Sequence, residues 1–326
     1  MTAAAMTLIT HDNLQLTLPK WGDREAGEVA VRTLPEAISS YVVAALADNS
    51  RRAYTGDLQD FLAWGGAVPC TPEVLAEYIA ARAQTHSPIT ITRRVVGISR
   101  AHTSQGLPDP AKSDLVRVVL RGIRRTHGQP QRQVTPLMKS DLLSILPLMT
   151  GTTGLRDRAL ILLGFAGAFR RSELVALDVA DLQFVQEGLI AHVRKSKTDQ
   201  DGNGRKVGIP YGRTHACPVK AVREWLDHAG ITEGPVFRSV RKGGAIGNRL
   251  TAQSVALVVK AYAQAAGLPA SAYSGHSLRS GLATSAAQAG ITAHKIQQQT
   301  GHRSLAMLHR YIRDGQLFVE NAGGIL

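Results

Sequence analysis

Apolar positions recur at helical spacing through the first part of the chain, and the elements they predict come in a run. Thr33 with Glu36 forms a Thr-x-x-Glu start signal, and Ile38, Tyr41 and Val42 carry that helix to about Leu46. A second helix begins near Ser50, sets Tyr54, Leu58, Phe61 and Leu62 on one face, and stops at Gly65-Gly66. A third starts at Thr71-Pro72 and buries Leu75, Tyr78 and Ile79. Ser87-Pro88 opens a fourth, with Ile91, Val95 and Ile98 inward and Arg93, Arg94 and Arg100 outside. A fifth follows Asp109-Pro110: Val116, Val119, Leu120 and Ile123 repeat at core spacing while Arg117, Arg121 and Arg124 line another face. The pattern predicts an all-α unit over 33–128 with basic faces, preceded by a flexible arm at 1–32.

Gln129-Pro-Gln-Arg-Gln133 breaks the periodicity, so an interdomain linker is expected at 129–134 and a second domain over 135–326. There Ser140 and Asp141 are candidate caps for a segment through Leu148, and Asp157 for a nearly all-apolar helix, Ala159 to Phe169. Gly188 to Lys195 alternates with period two, Asp199 to Gly204 is a turn cluster and Lys206 to Pro210 returns, which predicts a β-hairpin. Helices at Pro218 to Ala229 and Thr251 to Ala266 flank a Gly-rich basic stretch, Arg238 to Arg249, read as a loop. With no strand before it and no Gly-Lys-Ser/Thr, Gly243 to Gly247 is assigned to loop or nucleic-acid backbone contact rather than to a phosphate-binding loop. Further helices are expected after Gly275, from Ile291 to Thr300, and after a Ser304 cap, the last with Leu305, Leu308 and Ile312 as its apolar stripe.

Charge changes the picture. Lys and Arg number 6 against 10 acidic residues over 1–85, 9 against 2 over 86–132, and 23 against 13 over 133–326. A solvated basic face is the plain alternative, and nucleic acid is the partner the excess best fits. Arginines at i, i+4 and i+7 offer forked donors to phosphates or base edges along a groove. Two cysteines among 326 residues exclude a disulfide scaffold and a cysteine-built zinc site. The histidines show no recognisable metal-ligand spacing, so no metal is expected. No apolar run is long enough for a bilayer and the start lacks a basic leader, so a cytoplasmic protein without membrane contact is expected.

Candidate chemistry gathers near the end. His276 and Arg279 share one face of a helix's first turn, His302 follows Gly301, and Tyr311 lies on the last helix. Together they supply a phenol nucleophile, a guanidinium fork for phosphate oxygens and imidazoles for protons. Upstream stands Arg170, at the C-terminus of the apolar helix, where an arginine is often only a partner for the helix dipole; Glu173, three residues on, either orients its guanidinium or caps a helix. Lys197 sits where the hairpin's first strand enters its turn, a position usually solvated.

Ala168-Phe-Arg-Arg-Ser-Glu-Leu174, Lys195-Ser-Lys-Thr198, Ser274-Gly-His-Ser-Leu-Arg-Ser-Gly281, Thr300-Gly-His-Arg-Ser304 and His309-Arg-Tyr-Ile-Arg313 resemble, in order and spacing, the motifs of the tyrosine recombinases, or phage-integrase family, and within it the Cre-like and Xer-like enzymes. The resemblance covers about 33 to 320 and implies a helical core-binding (SAM-like) domain before a mainly α catalytic domain with a small sheet. It implies Arg170 and Arg279 as paired phosphate-clamping arginines, Lys197 as the hairpin lysine, His276 and His302 as the two histidine positions and Tyr311 as the nucleophile. The implied reaction is site-specific recombination through a 3′-phosphotyrosine and a Holliday junction, without ATP or metal, by four protomers on two sites in double-stranded DNA. Such an enzyme is bacterial or phage-encoded and nucleoid-associated. Arg93, Arg94, Arg100, Arg117, Arg121, Arg124, Arg241 and Lys242 are the DNA-binding candidates. The tail around Leu317, Phe318 and Val319 packs on a neighbouring subunit or on its own domain. Other readings are a DNA-binding regulator of the same fold that does not cut, and a type IB topoisomerase or telomere resolvase.

Overall fold

The computed structural model describes residues 48–129, 134–194 and 204–315. The arm, the helix expected from Thr33, most of the linker, Lys197 and the tail from 316 lie outside the described residues. The chain divides into two compact units, Met1–Gln131 and Arg132–Leu326.

The described residues of the first unit form four α-helices: α1 Asp48–Ala63, α2 Pro72–Ala83, α3 Pro88–Thr103 and α4 Asp114–His127. The hydroxyls of Thr71, Ser87 and Ser113 each accept the backbone N–H three residues on, so these helices begin where a short oxygen can satisfy an otherwise unpaired donor. Pro110 opens a separate 3-10 turn, so α4 starts four residues later than the Asp109-Pro110 signal suggests. Phe61, Leu75, Tyr78, Ile79, Ile91, Ile98 and Val116 fill the core, and the rings of Phe61 and Tyr78 meet edge to face at 5.0 Å. Leu62, expected on the buried face, is 41 % exposed.

A polar cluster lies inside this unit, and it corrects the expected position of Arg94. That side chain is buried and ion-paired with Asp60; Tyr78 Oη and Arg82 Nε also donate to Asp60 Oδ2, at 2.7 and 2.8 Å. Asp57, buried beside it, pairs with Arg93 at 2.8 Å. Arg94 points inward because it shares the i, i+3, i+4, i+7 face of Ile91, Val95 and Ile98, and two carboxylates on α1 meet it there.

Among its described residues the second unit has a mainly helical body with two small sheets. Its helices are α5 Lys139–Ile145, α6 Gly151–Ala166, α7 Arg171–Ala176, α8 Pro218–His228, α9 Ala252–Ala265, α10 Ser277–Gln288, α11 Ala293–Thr300 and α12 Leu305–Gly315. Ahead of α5, the Asp141 carboxylate accepts the Met138 N–H at 3.0 Å, so Asp141 caps and Ser140 does not. Helix α6 begins well before Asp157. That residue is no cap: it is buried in mid-helix, paired with Arg156 at 2.6 Å and bonded by Tyr262 Oη at 3.2 Å. Leu160 to Leu163 are buried on every side, as an all-apolar helix in mid-domain requires.

Strands β1 Leu182–Val185, β2 Gly188–Val193 and β3 Arg205–Pro210 form an antiparallel sheet in that order, with Ala191 opposite Val207 and Leu189 opposite Ile209. Those four side chains face the core. Strand β1 escaped the sequence pattern because it is only four residues long. The stretch read as a Gly-rich loop is instead a second hairpin, β4 Arg238–Val240 and β5 Ile246–Arg249. Gly243 and Gly244 turn it with φ of 93° and 89°, so a short strand does precede them. Helix α10 lies against the chain entering this unit: a Cβ on Gly281 would sit 1.9 Å from Leu137 O, and Leu137 N donates to Ser277 O at 2.9 Å. No helix among the described residues is long and apolar enough to cross a membrane.

Replacing Arg94 by Ala leaves Asp57 and Asp60 short of a buried partner and is expected to destabilise the protein by about 3 kcal/mol, in the range for breaking one side of a buried ion pair. Arg121→Ala, on the exposed face of α4, is expected to change stability by less than about 0.5 kcal/mol. Urea unfolding midpoints check both.

Candidate active site

The site is assembled from four separate stretches of the second unit. The first is the turn after α6. Phe169 N donates back to Gly164 O at 3.2 Å and its ring is buried, while Ala168 takes a left-handed φ of 48°. That conformation costs an alanine roughly 1 kcal/mol, and it turns the Ala168 carbonyl to accept from Arg279 Nη1 at 2.8 Å. Arg170 follows in extended backbone at the N-cap of α7, not at the C-terminus of the preceding helix.

Glu173 resolves its two readings by performing both. Its Oε2 accepts the Arg170 N–H at 3.1 Å and its Oε1 accepts Arg170 Nη1 at 2.6 Å. The same Oε2 accepts Arg205 Nη2 at 3.2 Å. Arg205, the first residue of β3, was not among the sequence candidates. It also donates from Nη1 to Gln299 O at 3.1 Å, while the Gln299 amide donates to Ala166 O and Gly208 O. The ends of α6 and α11 and strand β3 are thereby tied together. An arginine after a turn cluster carries no periodic signal, so only the fold reveals it.

The second half of the site comes from α10 to α12. Arg279 is 1 % exposed, and its Nη2 is buried without a hydrogen-bond partner among the described residues. Burial first, then Arg170, lowers its pKa to about 10, which still leaves it charged at neutral pH. His276 caps α10, and its Nε2 lies 2.9 Å from Tyr311 Oη. The surrounding protein, then Arg279 and Arg170, hold His276 below its ordinary value, so a neutral ring faces the phenol although part of it meets solvent.

Helix α11 ends at Gly301 in the left-handed conformation, φ 64°, and a Cβ there would stand 3.0 Å from Arg205 Nε. This turn delivers His302 next to Tyr311, with ring centroids 5.9 Å apart. His302 is buried, its Nδ1 is 2.7 Å from Thr300 Oγ1, and burial followed by Arg279 and Arg170 depresses it to about 3. Helix α12 is anchored by Leu308 in a small cluster with Ala283, Ala287 and Ile296, against which Tyr311 and Ile312 pack. Leu305, expected in that stripe, is 42 % exposed.

Arg170, His276, Arg279, His302 and Tyr311 are thus brought together, with Glu173, Arg205, Gln299 and Thr300 behind them. Lys197 lies outside the described residues; Arg194, just before that stretch, is held by Asp181 at 2.6 Å and Asp178 at 3.2 Å. Among the described residues no group of three His, Cys, Asp or Glu side chains is placed to hold a metal ion. The expected DNA-binding arginines divide. Arg117, Arg121 and Arg124 are exposed on α4, and Arg241 and Lys242 are exposed at the β4–β5 turn. Arg100 is exposed and lies over the Tyr54 ring at 5.5 Å, and Arg93 is exposed with Asp57 as partner. Arg94 alone is withdrawn into the core.

A phenol within hydrogen-bonding distance of an imidazole, beside the two arginines Arg170 and Arg279, is the geometry to set against known proteins. The phage integrase family model matches residues 136–316, more than half the chain. An integrase/recombinase xerD homolog of Selenomonas ruminantium is 43% identical over 288 residues, covering 85% of this chain and 84% of that protein. The recombinase cre of Escherichia phage P1 is 26% identical over 268 residues, covering 76% and 77%. A crystal structure of the XerH site-specific recombinase bound to palindromic difH substrate superposes with a TM-score of 0.63 at 18% identity, over 85% of this chain and 79% of that one, which supports the fold. The chain belongs to the phage integrase family, the tyrosine recombinases.

Because the folded-state pKa of His302 lies below its unfolded value, the unfolded chain binds a proton there that the folded chain refuses. Stability should therefore fall as pH drops from about 6.5 towards about 3. His302→Gln removes that portion: between pH 7 and pH 5 the wild type should lose about 2 kcal/mol more than the variant, measured by urea unfolding at each pH.

Proposed function

We propose that the chain is a site-specific DNA recombinase in which Tyr311 attacks a DNA phosphate and remains joined to it as a 3′-phosphotyrosine, releasing a 5′-hydroxyl. The observation that carries this reading is the 2.9 Å contact of Tyr311 Oη with His276 Nε2, beside a buried arginine that keeps an unpartnered donor. His276, held neutral, accepts the phenol proton as the P–O bond forms. Arg170 and Arg279 take the non-bridging oxygens, with His302 alongside; fixed donors of this kind supply the main part of catalysis in phosphoryl transfer. Lys197 protonates the departing 5′-oxygen. Glu173 positions Arg170 by gripping its guanidinium and its backbone at once.

The phosphotyrosine keeps the energy of the phosphoester, so a 5′-hydroxyl from another strand reverses the attack without ATP. Exchange between two duplexes passes through a Holliday junction and calls for four active sites, hence a homotetramer on two DNA sites. The exposed arginines of α4 and the β4–β5 turn, Arg241 and Lys242, suit the phosphate backbone of double-stranded DNA. Its place of work is the cytoplasm, on the nucleoid.

Covalent trapping tests the reading. Wild type incubated with nicked fragments of the replicon that carries its gene should yield protein-linked DNA after denaturation, and Tyr311→Phe should bind the same fragments and yield none. Arg170→Ala should slow adduct formation by about 10²- to 10³-fold. An adduct formed equally by Tyr311→Phe would place the nucleophile elsewhere.

A further inference from the structure

Thr300 holds a single hydroxyl proton between two claimants. Its Oγ1 is 2.7 Å from His302 Nδ1 and 2.8 Å from Ile296 O, and Gln297 O lies at 3.3 Å. Both side chains are buried, so water does not arbitrate. A neutral imidazole has one N–H, and the hydroxyl's direction fixes which nitrogen carries it. With the hydroxyl donating to Ile296 O, Thr300 accepts from Nδ1–H, and Nε2 is left as an acceptor. With the hydroxyl turned to Nδ1, the ring must carry its proton on Nε2 and becomes a donor. Ile296 O tolerates the loss, since it lies four residues before Thr300 and the ladder of α11 supplies a backbone donor.

We infer that Thr300 is a positioning residue that sets the tautomer of His302. Without a phosphate, the proton chain runs from Nδ1 through the hydroxyl to Ile296 O. A non-bridging phosphate oxygen offers only lone pairs, so its arrival favours the Nε2–H form, and the hydroxyl rotates to Nδ1. His302 thereby gains a donor toward the substrate with no net gain of a proton. That matters in a pocket where Arg170, Arg205 and Arg279 oppose a further positive charge. Nothing is oxidised and the charge is unchanged: the ring releases its Nδ1 proton and takes one at Nε2 by exchange with solvent in a transient opening, while the hydroxyl proton rotates about the Thr300 Cβ–Oγ1 bond.

This inference rests on the reading that a DNA phosphate sits beside His302, and the test separates the two. Thr300→Val keeps the shape and removes the hydroxyl; Thr300→Ser restores it. With the full-length protein and nicked DNA, Thr300→Val should form adduct roughly 10- to 100-fold more slowly at unchanged DNA affinity, as when the partner that orients a histidine is removed. Thr300→Ser should stay within about 2-fold of wild type, a rescue that packing alone would not give. In ¹⁵N-histidine NMR of the wild type, His302 should carry its proton on Nδ1 when free and on Nε2 with DNA. A Thr300→Val protein that cleaves at the wild-type rate, a serine variant as slow as the valine one, or an Nε2 that stays bare on DNA would overturn the inference. Should the valine variant fail to fold, the serine variant and the wild-type spectra decide. Absence of adduct from the wild type would instead overturn the nucleophile assignment, with the NMR comparison still deciding the tautomer.

Discussion

The buried carboxylate of Glu173 is the point on which the site depends. A carboxylate withdrawn from water costs several kcal/mol unless charged donors surround it. Here the donors are the backbone and guanidinium of Arg170 and the guanidinium of Arg205, so one side chain satisfies a helix start, orients one arginine and anchors another. The three contacts join α7, strand β3 and, through Arg205, the end of α11. Two guanidiniums against one carboxylate leave an excess of positive charge that Arg279 enlarges; burial first, and then that excess, keep His302 neutral. Such an excess of positive charge suits an anion, and a phosphodiester is one.

Backbone geometry performs comparable service where side chains do not reach. The left-handed Ala168 aims a carbonyl at Arg279, so the loop that presents Arg170 also fixes the second arginine from a helix more than a hundred residues later. Gly301 has the same type of backbone and yields space to Arg205. Strain in one case and a missing Cβ in the other bring chain segments within hydrogen-bonding distance.

The residues of the site were legible because their chemistry is unusual in combination. Tyr311, His276, Arg279, His302 and Arg170 stand in motifs whose order survives in the sequence, and the structure gathers all five. What supports them was not legible. Arg205, Gln299 and Thr300 act through contacts between segments far apart in the chain, and no local pattern marks such residues. Arg94 is a different kind of miss. Its position belongs to the buried face of its helix by spacing, but its charge argues against burial, and only the carboxylates of Asp57 and Asp60, which meet it inside, explain it. Asp157 misled for the related reason that a charged residue ahead of an apolar run looks like a boundary when a buried partner, Arg156, is its actual explanation. Helices that open on serine or threonine caps carry their signals within a few residues of their ends, while strands of three or four residues, β1, β4 and β5, fall below the length at which alternation is distinguishable from chance.

Arg194 and Arg205 stand at the two ends of the stretch that contains Lys197, each fastened to acidic residues that follow Arg170. The two strands that border it therefore draw on one acidic stretch, Glu173 to Asp181, so a substitution there would loosen the end of β2 and the start of β3 together.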